Sequence, residues 1–144
     1  MRVSDILKTK GTEVMTVKPG ETIGTLSHRL RMARVGALVV SENGRTVDGI
    51  VSERDVVRCL AERGADCQGV RVDAVMTKRV VTCTPDSNVA EVAKTMTANR
   101  MRHLPVVEGG RLAGIVSIGD VVKARLDEME LEAGVLRDLA IAGH

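Results

Sequence analysis

An internal repeat limits this chain to very few folds. Gly49-Ile50-Val51-Ser52-Glu53-Arg54-Asp55-Val56-Val57 returns as Gly114-Ile115-Val116-Ser117-Ile118-Gly119-Asp120-Val121-Val122, identical at seven of nine positions. Upstream, the run from Val14 to Pro19 is echoed by Val80 to Pro85. Between these markers Arg34, Leu38, Val40, Glu42, Gly44 and Arg45 match Arg100, Leu104, Val106, Glu108, Gly110 and Arg111. The second copy is one residue shorter in the loop after Gly110. Such self-similarity marks one supersecondary unit used again. Two copies within 144 residues point to a pseudo-twofold pair whose halves bury each other.

Each copy predicts the same order of elements: strand, helix, strand, strand, helix. Short β-branched strands are expected at Val14–Val17 and Val80–Cys83, each ending at a proline turn. The helices that follow carry Ile23, Leu26 and Leu30, or Val89, Val92 and Met96, at the 3,4 spacing of one buried stripe. Two strands then surround a turn: Ala37–Val40 and Val47–Val51, with Asn43-Gly44 between them and Gly109-Gly110 in the second copy. Both dipeptides suit the positive φ angles of tight hairpins. A second helix opens at Ser52 or Ser117. The stretch from Cys67 to Arg71 is short and polar, as a linker is. Near the C-terminus, Val122, Leu126, Met129, Ala133, Leu136 and Ala140 make a heptad-like seam. The seam fits either a helix folded back on its own domain or one used in self-association. Gly134 is its expected point of interruption, because an interior glycine costs about 1 kcal/mol relative to alanine.

The repeated Gly-hydrophobic-hydrophobic-Ser-x-x-Asp segment carries the chemistry. Taken once it reads as a helix cap, with a Ser hydroxyl accepting from backbone N–H and Asp suiting the helix dipole. Its recurrence in halves that otherwise differ widely asks for more. A helix N-terminus offers N–H groups and positive partial charge to a phosphate, and a Ser hydroxyl there can donate to it. A carboxylate one turn further in can accept from both hydroxyls of a ribose. Together these parts suit a nucleoside phosphate. The two copies are unequal, however. Arg54 stands where the second copy has Gly119, and Arg102 and His103 stand where the first has Gly36 and Ala37. These positive groups could meet phosphates in a shared cleft.

The repeat order, the two Gly-Ile-Val-Ser-x-x-Asp segments and Arg102-His103-Leu104-Pro105-Val106-Val107 resemble a CBS-domain pair, often called a Bateman module, from about Val3 to Leu126. The resemblance implies an α/β fold: two tandem βαββα repeats packed sheet to sheet as a pseudo-twofold pair, plus a C-terminal helix. It places the first CBS domain at 1–66, the second at 70–127 and a helical tail at 128–144. It also implies clefts for adenine ligands, with the ribose held by Asp55 and Asp120 and phosphate facing Ser52 and Ser117. Adenine is then read by main-chain groups beside Thr16-Val17 and Thr82-Cys83. The candidate lining is Thr16, Val17, Gly36, Ala37, Ser52, Arg54 and Asp55 in the first copy. In the second it is Thr82, Cys83, Arg102, His103, Leu104, Pro105, Ser117, Gly119 and Asp120. The first copy departs from the family pattern at Gly36-Ala37-Leu38-Val39, which has no proline.

Composition removes other classes. Net charge is only +2, from 21 basic and 19 acidic residues, and Phe, Tyr and Trp are absent. A basic stripe and aromatic stacking platforms, the usual marks of nucleic-acid binding, are both missing. No apolar run approaches the roughly 20 residues of a membrane span, and Met1–Gly11 has no signal-peptide core. Cys59, Cys67 and Cys83 form no CxxC pair and show no zinc spacing with His28, His103 and His144, so a reduced cytoplasmic setting without a metal is expected. Catalysis is disfavoured because no His lies beside either Ser in sequence and the same groups recur in both halves, whereas catalytic acid and base need separated roles. The expected function is a regulatory, non-catalytic sensor of AMP, ADP, ATP or a dinucleotide such as NAD, with AMP foremost; the alternative is a structural dimerisation module whose clefts stay empty. The sensor would act as a homodimer on an unidentified protein partner.

Overall fold

The computed structural model describes residues 1–143. In chain order the elements are α1 (Val3–Lys10), β1 (Thr16–Val17), α2 (Ile23–Ala33), β2 (Ala37–Val40), β3 (Gly49–Ser52) and α3 (Glu53–Arg63). Two short 3₁₀ turns follow at Gly64–Gly69 and Val72–Ala74, then α4 (Val89–Asn99), β4 (His103–Glu108), β5 (Arg111–Ser117) and α5 (Ile118–Ala142). This is the expected pair of α/β repeats with a C-terminal helix. In the first copy β1 runs parallel to β2, and β2 antiparallel to β3. In the second, β4 and β5 pair antiparallel, while the expected strand at Val80–Cys83 shrinks to one parallel bridge, Cys83 to Val106.

The helix stripes fall where their spacing puts them. Ile23, Leu26 and Leu30 are buried on α2, and Val89, Val92 and Met96 on α4. Both helices end on an arginine in the left-handed region, Arg34 at φ 55° and Arg100 at φ 52°, where glycine is usual. The turns differ. Gly109 and Gly110 both have positive φ and close a two-residue hairpin between Glu108 and Arg111. In the first copy's turn only Gly44 has positive φ. Asn43 instead turns the chain with its side chain, its Oδ1 accepting from the N–H groups of Arg45 at 2.8 Å and Thr46 at 3.0 Å. That loop is therefore wider, and β3 starts at Gly49 rather than Val47.

There are two cores, and each is closed by the segment that leads into the other copy. Val3, Ile6 and Leu7 of α1 pack with Val89, Met96, Leu104 and Val116 of the second copy. Val72 packs with Leu26, Leu38 and Val51 of the first, flanked by Val70, Val75 and Met76. The backbone pairing repeats position for position. Val3 N–H donates to Ser87 C=O at 2.9 Å, as Val72 N–H does to Glu21 at 2.8 Å. Ser4 N–H donates to Pro85 C=O at 2.9 Å, as Asp73 N–H does to Pro19 at 3.0 Å. The motif glycines make room for this exchange. A Cβ on Gly114 would lie 2.8 Å from Leu7, and one on Gly49 2.6 Å from Met76 Sδ.

Within the Cys67–Arg71 stretch Gln68, Gly69 and Arg71 are exposed, while Cys67 is buried beside Cys59 in the first core, because the 3₁₀ turn folds back under α3. Of the two readings open for the C-terminal seam, the one that folds it back on its own domain is not observed. It is the face containing Val121 and Ala124 that is buried, while Val122, Leu126, Met129 and Leu136 are exposed, Leu126 by 54%. Gly134 does not interrupt the helix, which is continuous from Ile118 to Ala142.

Candidate functional site

In both copies a strand runs straight into a helix, and the Ser-x-x-Asp motif spans the junction. Strand pairing brings the preceding strand alongside, with Ala37 opposite Ser52 and His103 opposite Ser117. The first helical N–H of each junction is held by that strand: Glu53 N–H donates to Gly36 C=O at 2.9 Å, and Ile118 N–H to Arg102 C=O at 2.8 Å.

The second junction is a reciprocal cap. Asp120 N–H donates to Ser117 Oγ at 3.1 Å, and Ser117 N–H donates to Asp120 Oδ2 at 2.8 Å. Lys10, from the far end of α1, adds a cation. Its Nζ donates to Asp120 Oδ2 at 2.6 Å and to Ile115 C=O at 2.9 Å. Burial pushes the Asp120 carboxyl up, but the bonds from Lys10 and Ser117 outweigh it and hold the carboxyl below its ordinary value. His103 sits half-buried nearby. Burial and then the Lys10 charge push its imidazole below the ordinary value, against the pull of Asp120 and Glu53. A Cβ on Gly119 would meet only Ser117 Oγ, at 3.6 Å, so the first turn of α5 is open to approach.

The first junction keeps the same capping-box arrangement. Ser52 N–H donates to Asp55 Oδ2 at 2.8 Å, and Ser52 Oγ turns to the same oxygen at 3.2 Å. Among the described residues no cation bonds Asp55. Arg54 points to solvent. Gly36 is half-buried, and a Cβ on it would come within 3.3 Å of His103 Cε1 of the other copy and 3.8 Å of Glu53 Cδ of its own. The His103 ring thus lies between the two junctions. A groove of about 670 Å³ runs beside the first copy between α2 and α3, past Leu30, Val35, Gly36, Glu53 and Val56. It does not reach Asp55 or Asp120.

The remaining candidates divide by burial. Thr82, Arg102 and Gly119 are exposed, and Thr16 half-buried. Val17, Ala37, Cys83, Leu104 and Pro105 are buried. Leu104 points into the second core, so it fixes β4 in place. Burial pushes the Cys83 thiol up to about 11. The main chain of Cys83 is also occupied: its N–H donates to Pro105 C=O at 3.0 Å and its C=O accepts from Val107 at 2.8 Å. Val17 C=O accepts from Ser41 N–H at 2.9 Å. The Thr16 C=O is engaged as well, accepting from Arg29 Nη1 at 3.1 Å. The sequence missed Lys10 and Glu53. Lys10 is 110 residues from Asp120, and a lysine at a helix end reads locally as ordinary dipole complement. The structure also sets His103 beside Ser117, although no bond joins the two side chains.

No helix among the described residues is long and apolar enough to cross a membrane. Residues 3–62 and 72–127 each match the CBS domain family. A crystal structure of the CBS-domain containing protein ATU1752 from Agrobacterium tumefaciens superposes with TM-score 0.83 at 46% identity, over 87% of this chain and 99% of that one. The CBS domain-containing protein CBSX3, mitochondrial, of Arabidopsis thaliana is 34% identical over 88% of this chain, which spans 65% of its length. The CBS domain pair of protein MJ0100, solved in complex with 5′-methylthioadenosine and S-adenosyl-L-methionine, superposes with TM-score 0.78 at 25% identity, over 89% of this chain and 98% of that one. With both repeats matched, in order and in three dimensions, the chain belongs to the CBS domain family as a tandem pair.

Proposed function

We propose that this chain is a regulatory module that binds an adenine nucleotide, AMP foremost with ADP, ATP or NAD as alternatives, at the Ser-x-x-Asp junctions. The observation that carries this reading is the duplicated carboxylate. Asp55 and Asp120 are each fixed through Oδ2 by the N–H of their own Ser, at 2.8 Å in both copies. Among the described residues no hydrogen bond reaches either Oδ1, so each carboxylate keeps an acceptor for ribose hydroxyls. The helix N-terminus and the Ser beside it suit a phosphate. The adenine-type ligands of the MJ0100 pair support the same ligand class. Main-chain groups beside Thr16 and Thr82 would contact the base, with the exposed Met15 and half-buried Ile50 as aliphatic walls.

A binding role fits better than catalysis. A nucleophilic Ser needs a base within hydrogen-bond reach, and Ser117 Oγ is engaged by Asp120 N–H instead of by His103. Ligand occupancy would act by favouring one arrangement of the repeats over another, and so be read by a protein partner. The exposed seam on α5 supports a homodimer. The test is a thermal-shift panel of AMP, ADP, ATP, NAD and S-adenosylmethionine against guanine and pyrimidine nucleotides, with light scattering on the same samples. At about 100 times its dissociation constant a ligand adds about 2.7 kcal/mol. Stabilisation by adenine compounds and a dimeric mass are expected. No shift with any adenine compound at millimolar concentration overturns the reading.

A further inference from the structure

The groove between α2 and α3 leaves apolar surface open in the first copy that the second copy closes. Val56 on α3 is half-buried there, whereas its equivalent on α5, Val121, is 1% exposed. Leu30, Val56 and Val57 line the groove, and Val57 stays 65% exposed. Two exposed arginines, Arg31 and Arg34, border it against one acid, Glu53. The whole of α2 and the turn after it, Ile23 to Gly36, holds no acidic residue. The far half of α5 has the opposite charge on a similar apolar ground. Its seam continues through Met129 and Leu136, both exposed. From Asp127 to Ala142 the helix carries five acidic residues against the single Arg137. At 3.6 residues per turn, Glu130 and Glu132 fall one on each side of that seam. Among the described residues neither these glutamates nor Arg31 or Arg34 form an ion pair.

We propose that this groove receives the far half of α5 from a second copy of the chain, with Glu130 and Glu132 meeting Arg31 and Arg34. One chain carries both surfaces, so a twofold pair fills two grooves at once and closes on itself. Charge separates this pairing from α5 packed on α5, which would set two acidic segments side by side. The inference rests on the homodimer reading above and names the surface that takes the exposed seam.

The test measures self-association of the full chain by analytical ultracentrifugation, with circular dichroism melts to confirm folding. A groove variant carries Arg31→Glu and Arg34→Glu; a helix variant carries Glu130→Arg and Glu132→Arg. Each should raise the dimer dissociation constant about tenfold or more, because like charges then face each other. Mixed in equal amounts, the two variants should pair with close to the unmodified affinity, since each offers the other the opposite charge on both surfaces. Val57→Glu, at an exposed position in the groove, should weaken the dimer by about tenfold as well. A mixture that does not recover, or a dimer that neither the groove variant nor Val57→Glu weakens, overturns the groove as acceptor while the homodimer reading stands. A dimer broken by Leu136→Lys but by neither groove change moves the contact to α5 on α5 and overturns it too. A monomeric unmodified chain overturns the homodimer reading and this inference together.

Discussion

The two Ser-x-x-Asp junctions share seven of nine residues yet differ in what surrounds them. Both keep a reciprocal cap; the second adds a lysine on its carboxylate and an open glycine, Gly119, in the first helical turn. The first has a Ser turned onto its own Asp, an exposed Arg54 in place of that glycine, and no cation on Asp55. A duplicated unit thus keeps its backbone chemistry, because strand-to-helix junctions need the same cap wherever they occur. Its electrostatics change because they are set by segments arriving from elsewhere in the chain. In the second copy those segments bring Lys10 and His103; in the first, the equivalent of His103 is Ala37 and no lysine arrives.

The largest expected effect tests whether both junctions bind. On the proposed reading Asp120→Ala removes a charged acceptor for two ribose hydroxyls, each bond being worth about 1.5–3 kcal/mol. It should therefore cost its cleft about one to four decades of AMP affinity, allowing for non-additivity. Asp55→Ala should do the same to the other cleft, if that cleft binds. The fold should survive both, because first-turn charge contributes only about 0.3–1 kcal/mol. Titration calorimetry with circular dichroism reads the result. Unchanged AMP affinity in both folded variants returns the motif to a helix cap.

A middle-sized effect probes the exchange of lead-in segments. Gly49→Ala would place Cβ 2.6 Å from Met76 Sδ and 2.9 Å from the Thr77 carbonyl oxygen. The backbone oxygen cannot swing away as a side chain can, so a loss of about 1–3 kcal/mol is expected. At Gly114 the new Cβ meets only the Leu7 side chain, 2.8 Å from Cδ2. Gly114→Ala should cost less, about 1 kcal/mol, and Leu7→Ala in the same chain should relieve the clash. Denaturant melts compare the four proteins. Equal losses at the two glycines would show that the copies yield alike.

The smallest effect is the pH dependence that His103 and Asp120 give the second copy. The His103 imidazole lies below its ordinary 6.5, so on acidification the unfolded chain takes up this proton first and stability falls as pH drops from about 6.5 toward the lower folded value. Asp120, held below its ordinary 3.8, adds stability that is present above that value and lost as pH falls through the lower folded one. His103→Ala, which gives the second copy the first copy's residue, should flatten the slope below pH 6.5. Lys10→Met should flatten the more acidic limb. Melting temperatures across a pH series decide; slopes identical to the unchanged chain would detach both groups from the stability of the fold.

Local pattern was enough for much of this molecule. The repeat announced the pair, the 3,4 spacing of Ile23, Leu26 and Leu30 identified the buried face of α2, and Gly109-Gly110 specified a tight hairpin. Ser117 and Asp120 were legible as a junction because a cap is a four-residue event. Asn43-Gly44 misled, since an Asn that bonds the chain through its side chain builds a different turn from one that adopts positive φ. What periodicity could not carry was which surfaces meet. The seam from Val122 to Ala140 has apolar spacing, but whether it is buried depends on the partner of the neighbouring face, and the domain takes Val121 and Ala124 instead. Cys67 sits in a polar stretch and is buried because a 3₁₀ turn folds it beneath α3. The exchange of lead-in segments was encoded only faintly, in Arg2-Val3 and Arg71-Val72, since a two-residue echo does not say which core its valine will enter. Lys10 meets Asp120 through that exchange alone. Sequence determined the cap and its carboxylate because neighbouring residues make them. Tertiary structure decided the charge at the carboxylate, because an ion pair across 110 residues exists only once α1 has docked on the opposite half.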